Sequence, residues 1–181
     1  LAPAIQVAAR DALGNTATQF TGNITVAFGT NPNGGRLSGT MTRSTVEGVA
    51  TFSDLGIDKA ATGYTLTAVA TGLAGATSAT FTVTPGPAAQ LSFTVQPTTT
   101  TAGVTMTPAL QVTARDAQGN TATGFTGNIT VAIGTNPAAG TLSGSATQAA
   151  VAGIATFANL SIDRAGTGYP LTATMEPDLS V

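Results

Sequence analysis

A self-match constrains this chain more than any other feature. Pro3 aligns with Pro108, and the match runs without a gap to Ala68 and Ala173, a constant offset of 108 − 3 = 105 residues. About 45 of the 66 aligned pairs are identical. Self-similarity at a fixed period marks a chain built from one structural unit used repeatedly. The 181 residues therefore read as two domains, 1–85 and 88–181, joined by a short, stiff Pro-Gly-Pro linker at 85–87. Two periods need 2 × 105 = 210 residues. The frame accordingly predicts that the first copy lacks a counterpart of residues 88–105, which hold its first strand. The second copy lacks one of 77–87, which hold its final strand.

Within each copy the local pattern is that of extended chain. In "ALQVTAR" Leu110, Val112 and Ala114 share one face, with Gln111, Thr113 and Arg115 on the other. "NITVAIG" repeats this with Ile129, Val131 and Ile133, and "QLSFTVQ" with Leu91, Phe93 and Val95. "GYTLTAVA" places Tyr64, Leu66, Ala68 and Ala70 together, and "ATFTV" closes copy one with Phe81 and Val83. No window carries a helical period, and the abundant Thr and Val favour strands. Short strands separated by Gly, Asn and Pro predict an all-β fold, a β-sandwich in each copy. "QPTTTTAG" reads as a kink where the first strand crosses between sheets.

Composition then removes whole classes of function. The chain has no Cys and no His, which excludes disulfides, thiolate chemistry and the commonest general base and zinc ligand. Its six basic residues, Arg10, Arg36, Arg43, Lys59, Arg115 and Arg164, are scattered singly and give no footprint for nucleic acid. Gly, Pro and Thr interrupt every apolar stretch before it reaches the length of a membrane-spanning helix, so no membrane insertion is expected. No charged-then-apolar leader precedes Leu1, which places any export signal outside this sequence.

The residues that could carry chemistry read first as turn-makers. Asp11, Gly14 and Asn15, like Asp116, Gly119 and Asn120, form an Asp-x-x-Gly-Asn turn; as a calcium site they fall short of the six to eight oxygens required. Asp54 and Asp58 could suggest acid–base work, but copy two has Asn159 and Asp163, so the pair is not kept. Lys59 and Arg164, next to Asp58 and Asp163, read as solvated surface charges. An isopeptide crosslink through Lys59 fails in copy two, where Arg164 stands instead. Tyr64 and Tyr169 are expected to pack their rings in the core and bond the backbone across the corner with their hydroxyls; a sugar-stacking platform is the alternative. Asn23, Asn128 and Asn159 match short glycosylation acceptors, and Thr98 to Thr101 could carry O-linked sugar. No catalytic residue, metal ligand or cofactor is assigned.

The order "VTARDAQGNTATGFTGNITVAIG", "AGTLSG", "VAGIATFANLSID", "GTGYPLTA" resembles the bacterial immunoglobulin-like repeats of invasin- and intimin-type surface adhesins. That resemblance implies tandem immunoglobulin-like sandwiches in a non-catalytic, extracellular bacterial stalk, adhesin or filament, with neighbouring repeats as the main partners. The alternative is a module on the same scaffold that binds carbohydrate or a host surface protein. Its candidate patch is where the copies diverge: Asn33, Gly34, Arg36, Met41, Arg43, Ser44, Thr45 and Glu47, opposite Ala138, Ala139, Thr141, Ala146, Gln148, Ala149, Ala150 and Ala152. A further alternative is a filament subunit completed by strand exchange with a neighbouring chain.

Overall fold

The computed structural model describes residues 1–175; the last six residues of the second predicted domain, 176–181, lie outside the described residues. The chain divides into two compact units, Leu1–Thr84 and Pro85–Val181. Among the described residues there is no helix, and every strand pairing is antiparallel.

Unit 1 contains β1 (Ile5–Ala8), β2 (Asn23–Phe28), β3 (Leu37–Ser38), β4 (Thr42–Ser44), β5 (Val49–Phe52), β6 (Gly56–Ile57), β7 (Ala61–Tyr64), β8 (Leu66–Ala70), β9 (Ala76–Thr77) and β10 (Phe81–Val83). They form the sheets β1-β5, β4-β2-β8-β9, β3-β6 and β10-β7. Unit 2 contains β11 (Gln90–Val95), β12 (Leu110–Arg115), β13 (Asn128–Ile133), β14 (Leu142–Ser143), β15 (Thr147–Ala149), β16 (Ile154–Phe157), β17 (Ser161–Ile162) and β18 (Leu171–Met175). Its sheets are β11-β12-β16, β15-β13-β18 and β14-β17.

The alternation read from the sequence sets the inward faces. Val7 lies opposite Ala50 as Val112 lies opposite Ala155, and Val26 opposite Ala68 as Val131 opposite Ala173. Ile24, Val26, Ala50, Phe52 and Leu55 form the buried centre of unit 1. In unit 2 Leu110, Val112, Ile129, Val131, Ala155, Phe157 and Leu160 do the same. Each core thus draws apolar side chains from two sheets, an arrangement consistent with a β-sandwich.

Two local features differ from the sequence reading, and a third follows it. "GYTLTAVA" is not one strand but two: it breaks at the buried Thr65, whose Oγ1 accepts the Thr30 N–H at 2.7 Å, so β7 pairs β10 while β8 pairs β2. Copy two has Pro170 there, which has no N–H to give a ladder, and its carbonyl takes the Gly134 N–H at 2.8 Å much as that of Thr65 takes Gly29 at 2.9 Å. As expected for "QPTTTTAG", the chain after β11 leaves its sheet, and Gly103 and Met106 donate to the carbonyls of Ile162 in β17 (2.7 Å) and of Leu160 just before it (2.8 Å). Finally, the Pro-Gly-Pro stretch is fastened to unit 2: Gly86 N–H donates to Asp116 Oδ2 at 3.0 Å and Ala89 N–H to the Arg115 carbonyl at 2.7 Å.

Candidate functional site

The Asp-x-x-Gly-Asn turn follows β1 in unit 1 and β12 in unit 2, and its geometry is nearly the same in both. Asp116 Oδ1 accepts the N–H groups of Gln118 (2.9 Å) and Asn120 (2.8 Å), while Asn120 Nδ2 donates to Oδ2 at 2.9 Å. Asp11 takes Leu13 N–H (3.0 Å), Asn15 N–H (2.8 Å) and Asn15 Nδ2 (3.1 Å) in the same way. The aspartate closes its own turn, and Gly14 and Gly119 supply the positive φ of 88° and 79° that the turn demands. The two carboxylates differ in cover. Asp11 is exposed, whereas Asp116 is 2% exposed beneath the segment that carries Gly86. Burial pushes the Asp116 carboxyl up, but the hydrogen bonds from Asn120, Gly86 and Gln118 outweigh it and hold the group down at about 2. In Asp11 the Asn15 side-chain bond leads the depression.

The paired aspartates of copy one are also structural ties. Asp54 Oδ2 accepts both N–H (3.1 Å) and Oγ1–H (2.7 Å) of Thr40, and Asp58 Oδ1 accepts the Arg36 N–H at 2.7 Å. Both pin the excursion that carries β3. In copy two Asn159 Oδ1 accepts the Ser145 N–H at 2.9 Å and Asp163 Oδ1 the Thr141 N–H at 2.6 Å, so an amide does the carboxylate's work. An acceptor at this position is required; a proton-transfer group is not. Asn159 is thereby committed to its own loop on both side-chain atoms, with Nδ2 donating to Ser145 Oγ at 3.2 Å.

Tyr64 is fully buried, its hydroxyl donating to the Lys59 carbonyl at 2.9 Å and its ring between Phe28 and Phe81 at centroid distances of 5.7 and 5.9 Å. Burial first, and the Asp58 charge second, raise its hydroxyl above the ordinary tyrosine value. Tyr169 makes the matching bond to the Arg164 carbonyl at 3.2 Å but is half-buried. The buried Tyr64 ring presents no stacking face, whereas the half-buried Tyr169 lines an open cavity with Pro97, Thr98 and Arg164; among the described residues the exposed large apolar side chains, Leu13, Met41, Val46, Val69, Leu73, Val104, Val151 and Ile154, include no aromatic.

The divergent patch proves to be a mixture. Thr45 is not a surface residue: it is buried, and its Oγ1 bonds the carbonyls of Phe20 (2.6 Å) and Gly22 (3.1 Å), where copy two packs Ala150. Asn33 Nδ2 donates to the Ala60 carbonyl at 3.1 Å, and Gly34 and its counterpart Ala139 both hold positive φ in a loop. Arg43 pairs with Asp54 at 3.3 Å. The sequence reading missed this ion pair, although both partners lose their charge together in copy two, as Gln148 and Asn159, and that joint loss was its signal. Arg43, Ser44, Val46 and Glu47 line a shallow depression with Gln6, Val49 and Thr51, and its exposed members are Gln6, Ser44, Thr51 and, on a tight hairpin, Val46 and Glu47.

Among the described residues no three carboxylates gather where a metal ion could be held. Scans against protein-family models, curated proteins and solved structures each returned no match to this chain.

Proposed function

We propose that the chain is a non-catalytic structural repeat, a pair of immunoglobulin-like sandwiches of the invasin and intimin type, used as a spacer in an extracellular bacterial stalk, adhesin or filament. One observation carries the reading: the side chains with chemical potential are spent on the fold, at matching positions in both copies. Asp11 and Asp116 close turns, Asp54 and Asn159 hold the same loop, Asp58 and Asp163 hold its other end, and both tyrosine hydroxyls tie a corner. A reactive site needs groups left over for a substrate, whereas a spacer needs every unit to repeat the same bonds. The low charge and the absence of His and Cys agree with this division of labour.

Pulling the 181-residue chain by its ends in single-molecule force spectroscopy tests the reading. Two separate unfolding peaks are expected, each releasing roughly 30 nm of chain at about 3.5 Å per residue. Extension without force peaks would overturn it.

A further inference from the structure

One loop of unit 1 carries a chemistry that copy two lacks. It connects β2 to β3 and holds Asn31-Pro32-Asn33-Gly34-Gly35 where unit 2 has Asn136-Pro137-Ala138-Ala139-Gly140. The first asparagine closes the loop in both units. Asn31 Nδ2 donates to the Gly35 carbonyl and its Oδ1 accepts the Gly35 N–H, both at 2.8 Å, and Asn136 does the same with Gly140 at 2.7 and 2.8 Å. The second asparagine is not needed for that shape, since unit 2 makes the same closure with Ala138 in its place.

An asparagine can react with its own backbone. The nitrogen of the next residue attacks the side-chain carbon Cγ, the Cγ–Nδ2 bond breaks, and the amide leaves as ammonia with the proton from the attacking nitrogen. Water then opens the cyclic imide, giving aspartate or its isomer in which the chain runs through the side-chain carbon. The attack needs an N–H on the next residue and little bulk on its Cα, which glycine supplies best. Of the eight asparagines in the chain only Asn33 precedes glycine. Asn31 and Asn136 precede proline, which has no N–H, and Asn15, Asn23, Asn120 and Asn128 precede β-branched residues.

The fold leaves this pair open. Asn33 and Gly34 are both exposed, and a Cβ on Gly34 would meet nothing within 4 Å. The Gly34 N–H makes no hydrogen bond among the described residues, and the Asn33 side chain makes one, from Nδ2 to the Ala60 carbonyl at 3.1 Å, which leaves Cγ accessible. We propose that Asn33 is a self-modification site, converted in the folded chain to aspartate and isoaspartate by attack of the Gly34 nitrogen. The change is confined to unit 1. The new carboxylate has no proton for the Ala60 carbonyl, takes the net charge from −2 to −2 − 1 = −3, and sits on a loop whose far end is held by Asp58 Oδ1 on the Arg36 N–H. Unit 1 therefore loosens this loop with age while unit 2 keeps its own, whatever role the pair of units serves.

The test incubates the intact chain beside a synthetic peptide TNPNGGR, residues 30–36, in neutral and mildly alkaline buffer. Mass spectrometry of digests follows the gain of about 1 Da at Asn33, and electron-transfer fragmentation identifies isoaspartate. The peptide sets the unrestrained rate, and Asn33 in the chain should convert within about threefold of it, faster in the alkaline buffer, with Asn31 and Asn136 unchanged. Gly34→Ala should slow conversion about tenfold or more. That variant keeps the loop, because Ala139 holds a φ of 51° at the matching position where Gly34 holds 59°. Asn33→Asp should speed hydrogen exchange across 30–36 and leave 135–141 as it was. Conversion in the chain more than about tenfold slower than in the peptide, or no faster than at the asparagines ahead of Thr or Ile, would overturn the proposal. So would an undiminished rate in Gly34→Ala, or an Asn33→Asp loop that exchanges no faster than the parent.

Discussion

The same substitution at matching positions, Asp116→Ala and Asp11→Ala, separates what the turn contributes from what its cover contributes. Removing the Asp116 carboxylate orphans four donors: the N–H groups of Gln118, Asn120 and Gly86, and Asn120 Nδ2. Hydrogen bonds to a charged acceptor contribute about 1.5–3 kcal/mol each and are not additive, and loop water can replace some of them, so the net cost should be about 2–4 kcal/mol. In a unit of this size that lowers the melting midpoint by roughly 10–20 °C. Asp11 is exposed and its turn lacks the Gly86 bond, so its loss should move unit 1 by less than half as much. Acid gives a second readout. The Asp116 pKa is lowered from 3.8 to about 2 in the folded state, so its contribution is complete above the unfolded value and disappears as pH falls from about 4 to about 2. The full linkage of that shift is about 2 kcal/mol; discounted for screening by solvent, about 1–2 kcal/mol should be lost. Urea unfolding, with hydrogen exchange to assign each transition to its unit, measures both effects. Equal costs for the two variants, or a wild-type unit 2 that keeps its full margin over Asp116→Ala at pH 2, would refute the account.

Three further perturbations follow from the same geometry. Tyr64→Phe should destabilise unit 1 by about 1–2 kcal/mol in urea melts, because the fully buried hydroxyl and its bond to the Lys59 carbonyl are lost, while Tyr169→Phe, with a longer bond in a half-buried corner, should cost less than half of that. The double change Arg43→Gln with Asp54→Asn installs copy two's chemistry in copy one, and calorimetry should find the unit 1 midpoint within about 2 °C of the parent, since exposed ion pairs contribute little. Gly144→Ala should cost more than about 2 kcal/mol by chemical denaturation, because φ is 102° and the new Cβ would press on the Asn159 carbonyl oxygen.

How much could be read from residues alone varies with the range of the interaction. The strand faces were legible because alternation is local: Leu110, Val112 and Ala114 point inward on one strand whatever lies beneath them. The Asp-x-x-Gly-Asn turn was legible for the same reason, since all its bonds but one span four residues or fewer. Thr45 was misread as surface because one extra hydroxyl looks polar in sequence, and only the two carbonyls that the fold brings to it make it an interior residue. The break at Thr65 was invisible because the two halves differ in their partners and not in their pattern.

The sequence by itself determined that this chain is a duplicated all-β design whose polar residues close turns, because repeat spacing, strand period and turn chemistry are each set within a few neighbouring residues. Only the tertiary structure decided which of the two matching turns is buried. Asp116 sits buried under the segment that carries Gly86, while Asp11, identical in its own turn, is exposed. That difference arises from a segment 30 residues away in the chain, and no local rule can report it.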